Sequence, residues 1–310
     1  MESSKIVVVG SMNMDHVVNC QRLPEPGETI KGEKFNTHPG GKGANQAAAV
    51  GQLGGEPLFI GARGRDNIGS QLENHLQEMG VKTNLKLSEK STGTAHIFVT
   101  SDGENHIVII PGANDTITPE DLRKMRDKLK NAEVVLLQLE IPLDTVVETA
   151  RIASQMGAKV LLDPAPAKKL PQNLLINVDY LLPNNQELRQ MTHDLDGESI
   201  DELDRVRHLH NKGVENVVVT RGEKGVLLFG EDGRQKLAAR KVDVVDTTAA
   251  GDAFAGAFAL GLAAGLSNKK AARLGIAYGS AAVTGAGAQS SLLNREEFSE
   301  FAPEMRRLLP

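Results

Sequence analysis

Short, wholly apolar runs recur along this chain with helix-length segments between them, and no other feature constrains its fold as much. Ile6–Val9 ends at Gly10, and similar runs stand at Leu58–Ile60, Val134–Leu139, Val160–Leu162, Tyr180–Leu182 and Val217–Thr220. A strand apolar on both faces belongs to a sheet covered on both sides, usually a parallel one. The intervening segments Gly43–Leu53, Ile68–Met79, Pro119–Leu129, Leu143–Met156 and Ile200–Asn211 have helical length and period. Strand–helix alternation over about 200 residues predicts an α/β fold, a doubly wound and mostly parallel sheet flanked by helices. Ligands of such sheets bind at the carboxyl ends of the strands.

Two stretches break the alternation. Val17–Thr37 carries Pro24, Pro26, Gly27 and Gly32 between strand-like pieces. Thr92–Ile110 reads as a hairpin, Thr94–Thr100 and Asn105–Ile110, turning at Ser101-Asp102-Gly103-Glu104. These insertions, at about residues 12–38 and 92–110, predict a small β-sheet lid on the edge of one domain spanning residues 1–310. Residues 225–244 read as further antiparallel strands.

Aromatic residues are only 3% of the chain, with no Trp, whereas glycines number 31, which favours close backbone packing over stacking surfaces. A net charge of −5 without runs of Lys or Arg argues against nucleic acid as the main partner. Backbone donors can still hold phosphate on an acidic protein. Cys20 is the single cysteine, so no intrachain disulfide, thiolate zinc site or iron–sulfur cluster can be built. Met1–Val9 shows no signal-peptide pattern, and the Ala/Gly-rich run Ala253–Leu266 reads as a buried helix, so the expected location is the cytoplasm.

The familiar nucleotide fingerprints are missing. Asn36 stands where a P-loop ahead of Gly41-Lys42 needs glycine, and Gly10-Ser11-Met12-Asn13 replaces a dinucleotide-binding turn after the first run. The hydrolase G-x-S-x-G elbow is absent too. His208 and His210 lie on a charged helical segment and read as surface residues, with no histidine-bound metal expected.

Three segments carry chemistry instead. Asp246-Thr247-Thr248-Ala249-Ala250-Gly251-Asp252 leads into the helix read at Ala253–Leu266, placing Asp252 among unpaired backbone N–H groups at the positive end of a helix dipole. An aspartate there can simply complement the dipole. The unobstructed Ala249-Ala250-Gly251 run points further, to an anion hole beside a carboxylate able to take a proton from an attacking hydroxyl.

Pro39-Gly40-Gly41-Lys42-Gly43-Ala44-Asn45-Gln46 opens a helix, where Lys42 and Asn45 offer donors to a hydroxylated ligand and the glycines admit close backbone approach. Gly10–Asp15 follows the first strand, so Asn13 and Asp15, two apart on an extended segment, face one way and suit vicinal hydroxyls. Glu140 ends another strand at the same rim. Thr220-Arg221-Gly222-Glu223-Lys224-Gly225 is either a hairpin turn or a nucleotide-contacting loop.

With these pieces in order, the chain resembles the ribokinase (PfkB) family of carbohydrate kinases along essentially its whole length. Two signatures carry the likeness, Gly40-Gly41-Lys42-Gly43-Ala44-Asn45-Gln46-Ala47 and Asp246–Asp252. Gly10–Asp15, Pro111-Gly112-Ala113-Asn114, and Gln138-Leu139-Glu140 with Pro142-Leu143 resemble its ribose-phosphorylating branch. The resemblance implies ATP-dependent phosphorylation of the 5-hydroxyl of D-ribose. Asp252 would be the general base, and Gly251 with Ala250 and Ala249 the anion hole. Asn13, Asp15, Gly41, Lys42, Gly43, Asn45 and Glu140 would hold the sugar.

By the same resemblance, Thr220 through Gly225 and Gly251 would line ATP, with Asn184 near its phosphates. Glu187 would sit near a Mg²⁺ that keeps its water shell. An activating monovalent cation, K⁺ or similar, would lie among Asp246, Thr248, Ala282, Gly285, Gly287 and Ser291. The family's lids pair into a homodimer. Asn185 stands where the family usually has an acidic residue, and Ile276 where a polar one is common near adenine. The competing readings are a fructokinase-like or nucleoside kinase on the same scaffold, and a non-catalytic sugar-binding regulator.

Overall fold

The computed structural model describes residues 5–195, 200–231 and 233–309. Its main sheet takes β1 (Ile6–Val9), β4 (Leu58–Gly64), β5 (Lys82–Ser88), β8 (Val134–Leu137), β9 (Lys159–Leu162), β10 (Tyr180–Leu181), β11 (Asn216–Thr220), β12 (Val226–Gly230) and β13 (Gly233–Leu237). They lie in the order β13-β12-β11-β10-β9-β8-β1-β4-β5. Every pairing from β5 across to β11 is parallel, while β12 and β13 close that edge as an antiparallel hairpin. The chain starts in mid-sheet at β1 and adds strands to either side of it, as a doubly wound topology requires.

The helices are α1 (Lys42–Gln52), α2 (Asn67–Glu78), α3 (Pro119–Lys124), α4 (Arg126–Leu129), α5 (Leu143–Gln155), α6 (Gln172–Leu175), α7 (Asn185–Met191), α8 (Glu202–Asn211), α9 (Ala250–Ala263), α10 (Asn268–Ala282) and α11 (Arg295–Phe301). Side chains alternate across a strand, so β1 serves two cores. Ile6 and Val8 join the cluster containing Ala47, Phe254, Phe258 and Tyr278, from α1, α9 and α10. Val7 and Val9 join the opposite cluster with Val146, Leu188 and Leu209, from α5, α7 and α8. Small residues let α9 lie against α1. A Cβ at Gly256 would stand 2.7 Å from the Ala49 Cβ and 2.8 Å from the Gln46 carbonyl.

The lid is a second sheet, β3 (Lys34–Gly40), β2 (Asn13–Asn19), β6 (Gly93–Val99) and β7 (Asn105–Ile110), in that order. β2 begins at Asn13, within the insertion expected at about residues 12–38, so Asn13 and Asp15 belong to the lid strand as well as to the rim of β1. The single helix expected over Pro119–Leu129 is broken at Met125 into α3 and α4. α9 begins three residues earlier than expected and stops at Ala263, which makes Asp252 its third residue. The antiparallel strands expected within 225–244 end at Leu237. His208 and His210 are half-buried rather than surface residues, with His210 edge-on to the Phe229 ring.

Candidate active site

A cavity of about 210 Å³ opens beside the N-terminus of α9, lined by Lys42, Asp163, Leu182, Asn184, Glu187, Thr220, Thr247, Ala249, Ala250, Gly251, Asp252, Phe254 and Ala255. Of the residues singled out in the sequence, this brings together the base candidate, the Ala249–Gly251 run, Lys42, Asn184, Glu187 and Thr220. Asp163, Thr247 and Leu182 were not anticipated. The first turns of α2, α3, α7, α8 and α11 are closed by side-chain caps, whereas α1 and α9 start without one. At α9 the cap position is Ala249, held at φ 56°, a left-handed conformation costly for a residue with a Cβ. The Ala249–Gly251 backbone of this turn lines the cavity, with the Ala250 N–H donating to the Thr247 carbonyl at 3.3 Å. At Gly251 an added Cβ would meet nothing within 4 Å.

Asp252 is buried, and each of its oxygens accepts a hydrogen bond from a different amide. Asn45 Nδ2 donates to Oδ2 at 3.0 Å, and Gln46 Nε2 donates to Oδ1 at 3.0 Å. Lys42 begins the same helix, and its ammonium is held in the charged form chiefly by Asp252, against the opposing effect of burial and with help from Asp163, Glu140 and Glu187. Burial pushes the Asp163 carboxyl well above the usual carboxylate range; Lys42 opposes that shift and Asp252 adds to it.

The groups expected to hold a sugar form a second cluster next to the first. Glu140 Oε2 accepts from Ser11 Oγ at 2.6 Å and from the Lys42 backbone N–H at 3.1 Å, tying the end of β8 to the start of α1. Asn114 Nδ2 donates to Asn13 Oδ1 at 2.8 Å and to the Met12 carbonyl at 3.2 Å, while Asn114 Oδ1 accepts from the Met12 N–H. The Pro111–Asn114 turn is thus the brace that sets Asn13. Asp15 is partly buried, and its carboxyl is pushed up to about 7 by burial, then by Glu140, then by Asp252. Repulsion from both carboxylates marks the two clusters as neighbours. A Cβ at Gly43 would stand 2.7 Å from the Gly10 Cα and the Ser11 N, so that glycine serves contact between chain segments. Gly41, at φ 88°, precedes α1 in a conformation suited to glycine.

The expected nucleotide loop is only partly drawn in. Thr220 bridges Asn184 and faces the cavity. Arg221 lies near Glu202, its Nη1 3.6 Å from the carboxylate, and Gly222, Glu223 and Lys224 form an exposed 3₁₀ turn closed by Gly225 at φ 78°. These five residues do not line the cavity, and neither does Ile276, which packs against the core. Asn184 and Glu187 also cap α7 reciprocally: the Asn184 N–H donates to Glu187 Oε2 at 2.8 Å, and the Glu187 N–H donates to Asn184 Oδ1 at 2.9 Å.

The residues expected around a monovalent cation do converge. Asp246 Oδ1 accepts from the Thr248 N–H and Oγ1, and Asp246 Oδ2 accepts from the Gly287 N–H at 2.8 Å. Burial pushes the Asp246 carboxyl up, but these hydrogen bonds, with His38 nearby, outweigh it and leave it below the usual range. The Gly285 N–H donates to the Ala282 carbonyl, and Gly285 lies against Ser291. Among the described residues, no group of three or more His, Cys, Asp or Glu is placed to hold a metal ion, and no helix is long and apolar enough to cross a membrane.

The site thus joins an uncapped helix terminus, a doubly held carboxylate and a polar rim beside a small sheet on an α/β frame. A family model described as pfkB family carbohydrate kinase matches residues 3–295. The chain is 38% identical over 301 residues to a ribokinase of Haemophilus influenzae, covering 96% of this chain and 97% of that one. It is 35% identical over 303 residues to a deoxyribokinase of Salmonella typhi, covering 96% and 98%. The solved structure of Arabidopsis thaliana ribokinase complexed with ribose and ATP matches with a TM-score of 0.87 at 33% identity, covering 97% of this chain and 99% of that one. The chain belongs to the pfkB family of carbohydrate kinases, and it is accordingly an enzyme that transfers a phosphoryl group.

Proposed function

We propose that this enzyme phosphorylates the 5-hydroxyl of D-ribose with ATP, giving ribose 5-phosphate and ADP. The observation that carries the reading is Asp252 in the first turn of an uncapped helix, with both carboxylate oxygens fixed and a cavity of about 210 Å³ before it. Asp252 takes the proton of the attacking hydroxyl. The N–H groups of Ala249, Ala250 and Gly251 receive the charge that develops on the transferred phosphoryl group. Asn13, Asp15, Gly41, Lys42, Gly43, Asn45 and Glu140 hold the sugar, and the pairing of Asn13 with Asp15 on one face of β2 supports a ligand with adjacent hydroxyls. Asn184, Thr220 and the turn through Gly225 bind the nucleotide.

Mg²⁺ accompanies ATP and neutralises its phosphates, with Glu187 reaching it through water. Among the described residues no group of three or more His, Cys, Asp or Glu is placed to hold a metal ion, which suits an ion that keeps most of its hydration shell. The loops bearing Asp246, Thr248, Ala282, Gly285, Gly287 and Ser291 hold K⁺ or a similar monovalent ion. Two copies pair through their lids in the cytoplasm; support for the pairing comes from the exposed apolar residues Ile107, Val108, Ile109 and Ile110 along β7.

A second reading, 2-deoxyribose as acceptor, is favoured by the kinship with a deoxyribokinase. ADP release measured with ribose, 2-deoxyribose, fructose and adenosine, with and without K⁺, separates these; ribose with K⁺ is expected to turn over fastest. Asp252→Asn is expected to bind ribose normally and to lose about 10²–10⁴-fold in kcat, the usual worth of a positioned base. Near-normal turnover in that variant would remove Asp252 from the role.

A further inference from the structure

Gln46 is fully buried on α1, one residue beyond Asn45, and both the NH₂ and the oxygen of its side-chain amide are hydrogen-bonded. Nε2 donates to Asp163 Oδ2 at 2.8 Å and to Asp252 Oδ1 at 3.0 Å, while Oε1 accepts from Gln138 Nε2. A side-chain NH₂ carries two protons, and here one goes to each of two carboxyl groups. The partners fix which way the amide faces, because a carboxylate accepts and the Gln138 NH₂ donates. The other oxygen of Asp252 is held by Asn45 Nδ2, and Asn45 Oδ1 accepts in turn from Gln289 Nε2 at 3.0 Å. The carboxylate therefore cannot swing about its Cβ–Cγ bond without breaking a bond to a side chain that is itself anchored.

We propose that Gln46, clamped between Asp163 and Gln138, is a positioning residue that fixes the Asp252 carboxylate in the orientation needed to take the substrate proton. The inference rests on the reading of Asp252 as the base. Three features support it. α1 and α9 pack closely where Gly256 meets the Gln46 backbone, which fixes the point from which the Gln46 side chain reaches Asp252. Asp163 follows β9 at the carboxyl edge of the sheet and lines the cavity, although it is buried at one side of the amide. Burial favours the neutral form of Asp163, which lets it anchor Gln46 without setting a second full negative charge beside the base.

The test is steady-state kinetics of Gln46→Met across pH, with ribose and ATP varied separately. The titratable groups that face Asp252 are Lys42 of α1, Asp163 after β9 and Asp15 on the sugar side, with Glu187 of α7 on the same cavity wall and Glu140 beside Lys42 and Asp15. Losing an N–H donor to the ionised base disfavours that form. The acidic limb of kcat is therefore expected to move upward by about half a pH unit, with kcat about tenfold lower and the sugar KM within about threefold. An unchanged kcat overturns the proposal, and so does a lower kcat with an unmoved limb, which a packing defect alone would give.

If Gln46→Met does not melt cooperatively, Asp163→Ala and Asp163→Asn decide. The alanine variant is expected to reproduce the limb shift, and the asparagine variant, which keeps an acceptor for Gln46, to recover most of the loss. Equal behaviour of the two overturns the proposal. Asp252→Asn is assayed alongside: an active Asp252→Asn refutes the base, whereas an inactive one beside a wild-type-like Gln46→Met refutes only the role of Gln46.

Discussion

Asp15 is a residue whose environment conflicts with its chemistry. Its carboxyl rises from an ordinary 3.8 to about 7 because it is buried near Glu140 and Asp252. In the folded protein it keeps its proton between those values, whereas in the unfolded chain it does not. Its effect on stability is therefore favourable at low pH and is lost as pH rises through about 7. Asp15→Asn is expected to raise the melting temperature of the ligand-free protein by about 2–4 °C at pH 8, with the difference vanishing only near about pH 3, below the ordinary carboxyl value. The same change is expected to raise the sugar KM about tenfold, since a charged acceptor is replaced by a neutral one. Calorimetry at the two pH values and initial rates check both.

At this scale the sequence was informative where a charge or a glycine stood at a strand end or a helix start. Asp252, Asn13, Asp15 and Glu140 were visible for that reason, and Asp163 could have been, because it follows an apolar run as Glu140 does. Gln46 and Gln138 were not legible as machinery. An uncharged amide on a helix or a strand end has no pattern of its own, and its meaning lies in partners as far as 206 residues away.

Among the elements, α9 shows how one segment serves both packing and chemistry. Its small residues let it nest between α1 and α10, and its first turn stays open to the cavity. Gly251→Ala is expected to leave the melting temperature unchanged or slightly higher, because nothing within 4 Å opposes the added Cβ and alanine favours helix. That methyl stands where the transferred phosphoryl group must lie, so kcat/KM for ATP is expected to fall about tenfold or more. A thermal melt with ATP kinetics on one preparation separates the two effects.

The elements that escaped sequence reading did so for physical causes. β5, Lys82–Ser88, is an edge strand whose polar residues hide the apolar run that revealed its neighbours. α3 and α4 share one helical period across a break at Met125, which periodicity cannot register. The lid strands were legible as strands, but their pairing was not. β2 continues inward to Asn13 because it pairs with β3 and β6 on both sides, and those partners are fixed only in three dimensions.

For the whole molecule, the doubly wound sheet followed from the strand–helix alternation, and the separate small sheet from the two stretches that break it. The small sheet leaves one edge uncovered. Ile107, Val108, Ile109 and Ile110 of β7 are each 45–57% exposed, a row that an isolated sheet seldom leaves open. Light scattering is expected to give twice the chain mass for the native protein and the single-chain mass for the double variant Ile107→Lys, Ile109→Lys. If that variant stays paired, the contact lies elsewhere.

β2 supplies the polar pair Asn13 and Asp15 and also forms the spine of the small sheet, hydrogen-bonded to β3 on one side and β6 on the other. On the proposed sugar site, cargo that grips this pair consequently grips its own hatch. Occupancy and enclosure become a single equilibrium, and a sugar stripped of the hydroxyls that reach Asn13 and Asp15 would leave the doorway unlatched to water, inviting wasteful hydrolysis of the nucleotide.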